Sequence, residues 1–189
     1  MSSHHIVREK QEPALFILNL EGFHHENLGQ LLEWSPTVIV AEETYDAAES
    51  LGIKIDFIVG SLAAEHGLQP QTQILFSGED ILRGAMDYLI REHYPAVNIV
   101  TSKPVVSDYY PYCESINIVI LSDEQRIFTV RSGFTKWKPS GETIRILSES
   151  TDLVHSGLTA ISSNMYTTNS DGFYSLQFSE PFIFVAENL

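Results

Sequence analysis

The sequence predicts an alternating α/β domain with a mainly parallel sheet, followed by a smaller all-β, sandwich-like domain. Three observations carry this expectation. Short continuous apolar runs recur through the first two thirds, one strongly periodic helix lies among them, and a dense series of β-like stretches divided by glycine-containing turns fills the remainder. Apolar residues make up 43% of the 189 and charged residues only 19%, a balance that fills a core and argues against a disordered chain.

The run at 15–20 (LFILNL) lacks the polar alternation of a half-exposed strand, as expected where both faces are covered. Residues 37–41, 55–60, 73–76 and 97–101 repeat it. Between them, 43–51 reads as a helix stopped by Gly52. The clearest helix spans 79–93, where Ile81, Leu82, Ala85, Met86, Leu89 and Ile90 form one stripe. Glu79 and Asp80 fall in its first turn, where the helix dipole favours acids. Strands alternating with helices imply βαβ units. After 116–121, β-like runs at 126–130, 143–147, 173–178 and 182–185 are separated by turn residues at 132–133, 139–141 and 169–172. The domains are therefore placed at 1–123 and 124–189.

A formal charge of -14, from 25 acidic and 11 basic side chains, repels phosphate backbones and anionic lipid, so nucleic acid and membrane are excluded as partner classes. No apolar run reaches the roughly 20 residues of a membrane span. With one cysteine, Cys113, and no basic-then-apolar leader in the first ten residues, a cytoplasmic address is expected.

Individual residues offer several chemistries. The pairs His4–His5 and His24–His25 suggest a metal, but adjacent histidines diverge on most backbones, and a polar surface is the expected role. Cys113 lacks the surroundings of a nucleophile and is expected to be a buried thiol. Tyr109, Tyr110 and Tyr112 around Pro111 are read as an ordered loop packed over the sheet, with pocket lining as the alternative. Neither Gly-x-Gly-x-x-Gly nor a Walker-type loop occurs. A nucleotide site would instead occupy the carboxyl ends of the strands, at 19–22, 41–44, 60–64 and 102–108.

Ser162-Ser163-Asn164-Met165-Tyr166, then Asp171-Gly172, then Ser179-Glu180-Pro181-Phe182-Ile183-Phe184 resemble the Ser-Asn element, turn and final strand of the thiamine pyrophosphokinase family. The run from Leu51 to Gly60 (LGIKIDFIVG), with 14–19 and 38–44 before it, is similar to the family's first strands and their connections. The resemblance covers nearly the whole chain. It implies transfer of a diphosphoryl group from ATP to thiamine with release of AMP, Mg²⁺ as the metal, a homodimer, and a thiamine-like or nucleotide ligand. It also implies Ser163 and Asn164 as substrate contacts.

The family's acidic motifs are mostly replaced. Its Gly-Asp-x-Asp-Ser loop is Gly60-Ser61-Leu62-Ala63-Ala64, its Asp-Gly-Gly-like turn is Glu42-Glu43-Thr44, and its Gly-Gly-Arg-x-Asp-His turn is Ser102-Lys103-Pro104-Val105-Val106-Ser107-Asp108-Tyr109. Glu42, Asp80 and Asp108 are the candidate catalytic residues that remain, and no metal ligand is assigned. Phosphoryl transfer depends on positioning and on metal held by carboxylates, so the family reaction is expected to be weak or lost, leaving small-ligand binding. The alternatives are an active enzyme in which Glu42, Glu79, Asp80 and Asp108 rebuild the metal site, and a structural or partner-binding protein without a ligand.

Overall fold

The computed structural model describes residues 12–60, 67–78 and 80–189. The chain divides into two compact units, 1–102 with 114–117 and 103–113 with 118–189.

In the first unit the strands are β1 (Ala14–Ile17), β2 (Val38–Ala41), β3 (Phe57–Gly60), β4 (Gln73–Phe76) and β5 (Ala96–Val100). They lie in the order β5-β1-β2-β3-β4, and every pair is parallel. All four residues of β1 are fully buried, which is why this run is apolar without alternation. At the sheet edge β4 is less covered, and Phe76 stays 74% exposed. The helices are α1 (His25–Leu32), α2 (Tyr45–Ser50) and α3 (Ile81–Arg91). The expected helix at 43–51 thus begins with a 3-10 turn, Glu42–Thr44, before α2. α3 packs on β3 and β4, and Gly84 lets it approach closely: a Cβ there would overlap the Cβ of Ser77 and stand 3.1 Å from Val59 Cγ2.

The second unit contains β6 (Asn117–Leu121), β7 (Gln125–Val130), β8 (Phe134–Lys138), β9 (Thr143–Ile146), β10 (Val154–Ser156), β11 (Leu158–Ala160), β12 (Met165–Thr168), β13 (Gly172–Gln177) and β14 (Ile183–Asn188). Residues 122–124, where the domain boundary was expected, form the turn of the antiparallel β6–β7 hairpin. An antiparallel run β6-β7-β14-β9-β12-β11 faces a three-stranded sheet, β10-β13-β8. Their shared core joins Ile144, Ile146, Tyr166, Ile183 and Val185 from one sheet to Tyr174 and Leu176 from the other. Each such buried side chain stabilises the fold by roughly 1.5–3 kcal/mol. No helix among the described residues is long and apolar enough to cross a membrane.

The sandwich buries one carboxylate. Glu187, at the end of β14, is 4% exposed. Lys136 Nζ lies 2.5 Å and Lys138 Nζ 3.2 Å from its Oε2, and the Tyr174 hydroxyl donates to Oε1 at 3.0 Å. Burial pushes the Glu187 carboxyl up, but the bond and charge of Lys136, the Tyr174 hydroxyl and Lys138 outweigh it and hold it below the ordinary value. Burial, followed by the Glu187 charge, raises the Tyr174 phenol far above its usual range.

Glu187→Ala, which takes the carboxylate from Lys136 and leaves Lys138 only Glu142 at 3.6 Å, is expected to cost about 3 kcal/mol in urea denaturation. Because the folded carboxyl titrates below the unfolded one, near 4.3, the wild-type contribution is complete above that value. It is lost as pH falls through the depressed folded value. The gap between wild type and variant should close with acidification.

Candidate functional site

In the first unit the strand order reverses between β1 and β5, so the crevice of an open α/β sheet belongs at their carboxyl ends. Side chains lace this place together. Asn19 Oδ1 accepts from the Ser102 N–H at 2.9 Å, and its Nδ2 reaches Thr101 Oγ1 at 3.4 Å. The N–H groups of Leu18 and Asn19 both point at the Val100 carbonyl, and the buried Thr44 hydroxyl donates to the Leu18 carbonyl at 2.8 Å. The groups that would meet a nucleotide here bind one another.

The acids are dispersed into separate tasks. Glu42 opens the 3-10 turn after β2 and is half-buried over Gly60, whose missing Cβ leaves room for its carboxylate. Asp56 accepts from the Val38 N–H at 3.0 Å and from Lys54 at 2.7 Å. Asp80 is the N-cap of α3, its Oδ1 accepting from the Arg83 N–H at 2.9 Å. Asp108 lies exposed in the 3-10 turn Val106–Tyr112 of the second unit. Among the described residues no three His, Cys, Asp or Glu side chains group closely enough to hold a metal ion. The described donor set therefore does not fit a carboxylate seat for Mg²⁺. Glu79, Ser61–Ala64 and the His4–His5 pair lie outside the described residues. His24 and His25 are exposed at the start of α1. Cys113 is buried, its thiol pushed up to about 12 by desolvation and donating to the Tyr109 carbonyl at 3.2 Å.

Ser163 and Asn164 come together in the second unit. They occupy the turn between β11 and β12 and line a cleft of about 580 Å³ with Ile146, Ser148, Glu149, Leu153 and Tyr166. The Asn164 carbonyl accepts from the Ile146 N–H at 2.8 Å, which fixes the turn against β9. Tyr166 buries its ring while its hydroxyl has no hydrogen-bond partner among the described residues. Behind it, His155 stands edge-on at 4.9 Å with Nδ1 buried and unpartnered. The opposite wall is polar. Ser148 Oγ accepts from the Phe184 N–H at 2.8 Å, and Ser150 donates to Glu180 at 2.9 Å. Hydrogen bonds from the Ser179 hydroxyl and N–H hold the neighbouring Asp152 carboxyl below its ordinary value. No Lys, Arg or His lines the cleft. A hydroxyl, an amide, one carboxylate and an aromatic face suit a small polar heterocycle rather than a polyphosphate.

Sequence reasoning did not assign Tyr166, Ser148 or Glu149 to a site. The signal available was the polar run Ser148–Thr151, which follows the β-like stretch at 143–147. The tyrosine cluster packs as a loop: Tyr109 is buried, and Tyr110 stacks on Phe184 at 5.4 Å and meets the Phe182 edge at 5.8 Å.

A parallel α/β unit with an antiparallel sandwich after it is the fold of a known class, the thiamine pyrophosphokinases. The thiamine pyrophosphokinase of Bacillus subtilis is similar with a TM-score of 0.70 and 11% identity over 94% of this chain and 99% of that one. That of Geobacillus thermodenitrificans gives 0.68 and 12% over 93% and 97%. The Candida albicans enzyme gives 0.64 and 11% over 94% and 89%. At these identities the likeness is one of fold. No family model and no curated protein sequence matches the chain.

Asp80→Ala is expected to lower stability by about 1 kcal/mol by removing the α3 cap, whereas Asp80→Asn, which caps equally well, leaves it nearly unchanged. Thermal denaturation of the two variants checks this.

Proposed function

We propose that this chain is a small-ligand-binding protein on a thiamine pyrophosphokinase scaffold. It holds a thiamine-like molecule at Ser163, Asn164 and Tyr166, and the pyrophosphokinase reaction is weak or lost. The observation that carries this reading is the cleft itself: Ser163 and Asn164 line it beside a tyrosine hydroxyl that has no partner in the described protein. Ser163 and Asn164 are exposed beside the buried Tyr166 ring, so a polar ligand would replace water on their side chains while covering an aromatic face. A thiamine-like ligand is favoured over a nucleotide because the lining offers no cation to a phosphate.

Loss of catalysis follows from the acids. Asp80 is engaged as a cap, Asp56 with a backbone N–H and a lysine, and Glu42 is packed over Gly60. Among the described residues no carboxylate oxygens converge to support the charge that accumulates in phosphoryl transfer. The homodimer implied by the resemblance belongs to this reading.

Thiamine at about a hundred times its Kd should stabilise the protein by about 2.7 kcal/mol through mass action. Asn164→Ala should weaken binding by about tenfold, on the order of one hydrogen bond to a polar ligand. Calorimetric titration reads the second effect, and incubation with ATP, Mg²⁺ and thiamine should yield no AMP. Turnover to AMP, or the absence of any thermal shift with thiamine, would overturn the reading.

A further inference from the structure

The polar wall of the cleft begins where a strand ladder ends. β9 and β14 pair with Ile146 opposite Val185. One step further the Leu147 N–H donates to the Phe184 carbonyl at 2.8 Å. The Phe184 N–H turns instead to the side chain of Ser148, 2.8 Å from its Oγ. Ser148 therefore continues the ladder in place of a backbone carbonyl, and its hydroxyl is held on the rigid support that a binding group requires.

Donor counting fixes what Ser148 shows to the cleft. A serine hydroxyl has two lone pairs and one proton. The Phe184 N–H takes one pair, and the Tyr110 hydroxyl donates toward the other in a long bond of 3.5 Å. Tyr110 is itself placed by stacking on Phe184. The Ser148 proton has no acceptor among the described residues, so Ser148 meets a ligand as a donor. Glu149, the next residue, lines the same cleft, is exposed, and pairs with no described side chain. An ionised carboxylate can only accept.

We infer that these two residues read one edge of the ligand: Ser148 donates to an unprotonated ring nitrogen, and Glu149 accepts from an amino group on the adjacent ring carbon. This rests on the cleft being a ligand site and names the chemistry it selects. The aminopyrimidine of thiamine carries such an edge, and so does the adenine of adenosine. A ring N–H beside a carbonyl sets donor against donor and acceptor against acceptor, and is rejected.

Calorimetric titration of the full chain tests the edge with thiamine, with its analogue bearing C–H in place of the ring nitrogen beside the amino group, with its analogue bearing hydrogen in place of the amino group, and with adenosine. Wild type should bind each analogue at least about tenfold more weakly than thiamine. Ser148→Ala should bind thiamine about tenfold more weakly, no longer distinguish thiamine from the C–H analogue, and still reject the analogue without the amino group. Glu149→Ala should do the converse. Because Glu149 is exposed and unpaired in the described protein, this second variant decides the matter if Ser148→Ala, which strips the Phe184 N–H of its acceptor, fails to fold. Wild type that binds both analogues as tightly as thiamine overturns the inference and leaves thiamine binding standing, as do variants that weaken every compound in the same ratio. Adenosine bound in place of thiamine, and weakened by both substitutions, overturns the thiamine reading and upholds the edge. A chain that binds neither compound overturns both.

Discussion

The buried carboxylate of Glu187 is the constraint on which the second unit turns. It sits on one sheet of the sandwich while Lys136, Lys138 and Tyr174 reach it from the other, so the two sheets are tied by charge as well as by apolar contact. An ion cluster of this kind contributes little net stability against a hydrophobic replacement, yet it is severe on any arrangement that breaks it. Its effect is on register. With Lys136 and Lys138 turned inward, the period of two leaves Trp137 no direction but outward. The same choice of phase puts Tyr174 inside and Phe173 outside on β13.

The two units divide their roles along chemical lines. In the first, the polar groups at the carboxyl ends of β1, β2 and β5 are consumed by bonds among themselves. In the second, the turn carrying Ser163 and Asn164 is pinned by its backbone to β9, which leaves its side chains to face the cleft. A binding surface needs unspent donors and acceptors on a rigid support. The second arrangement provides them at Ser163 and Tyr166.

Much of the first unit was legible because burial on both faces writes an unbroken apolar run, as in β1 and β2. The start of α3 was legible from Asp80, an acid at a helix entrance. β8 was missed because its inward positions are lysines, which binary patterning assigns to solvent, and the partner of Lys136 lies 51 residues away on β14. β10, β11 and β12 were missed because three or four residues are too few to show a period. α1 went unseen because Leu28 is its only buried residue. Ser163 and Asn164 were found through a motif, whereas Tyr166 and Ser148 become neighbours only when β9 and β12 pair.

The Asn19 bridge has a mechanical consequence. One amide holds the segment after β1 to the end of β5 through two bonds, accepting from the Ser102 N–H and donating to Thr101 Oγ1. Two neighbouring parallel strands are thereby fastened at the end where their ladder stops, so the segments that leave them move as one piece, and parting them costs both bonds.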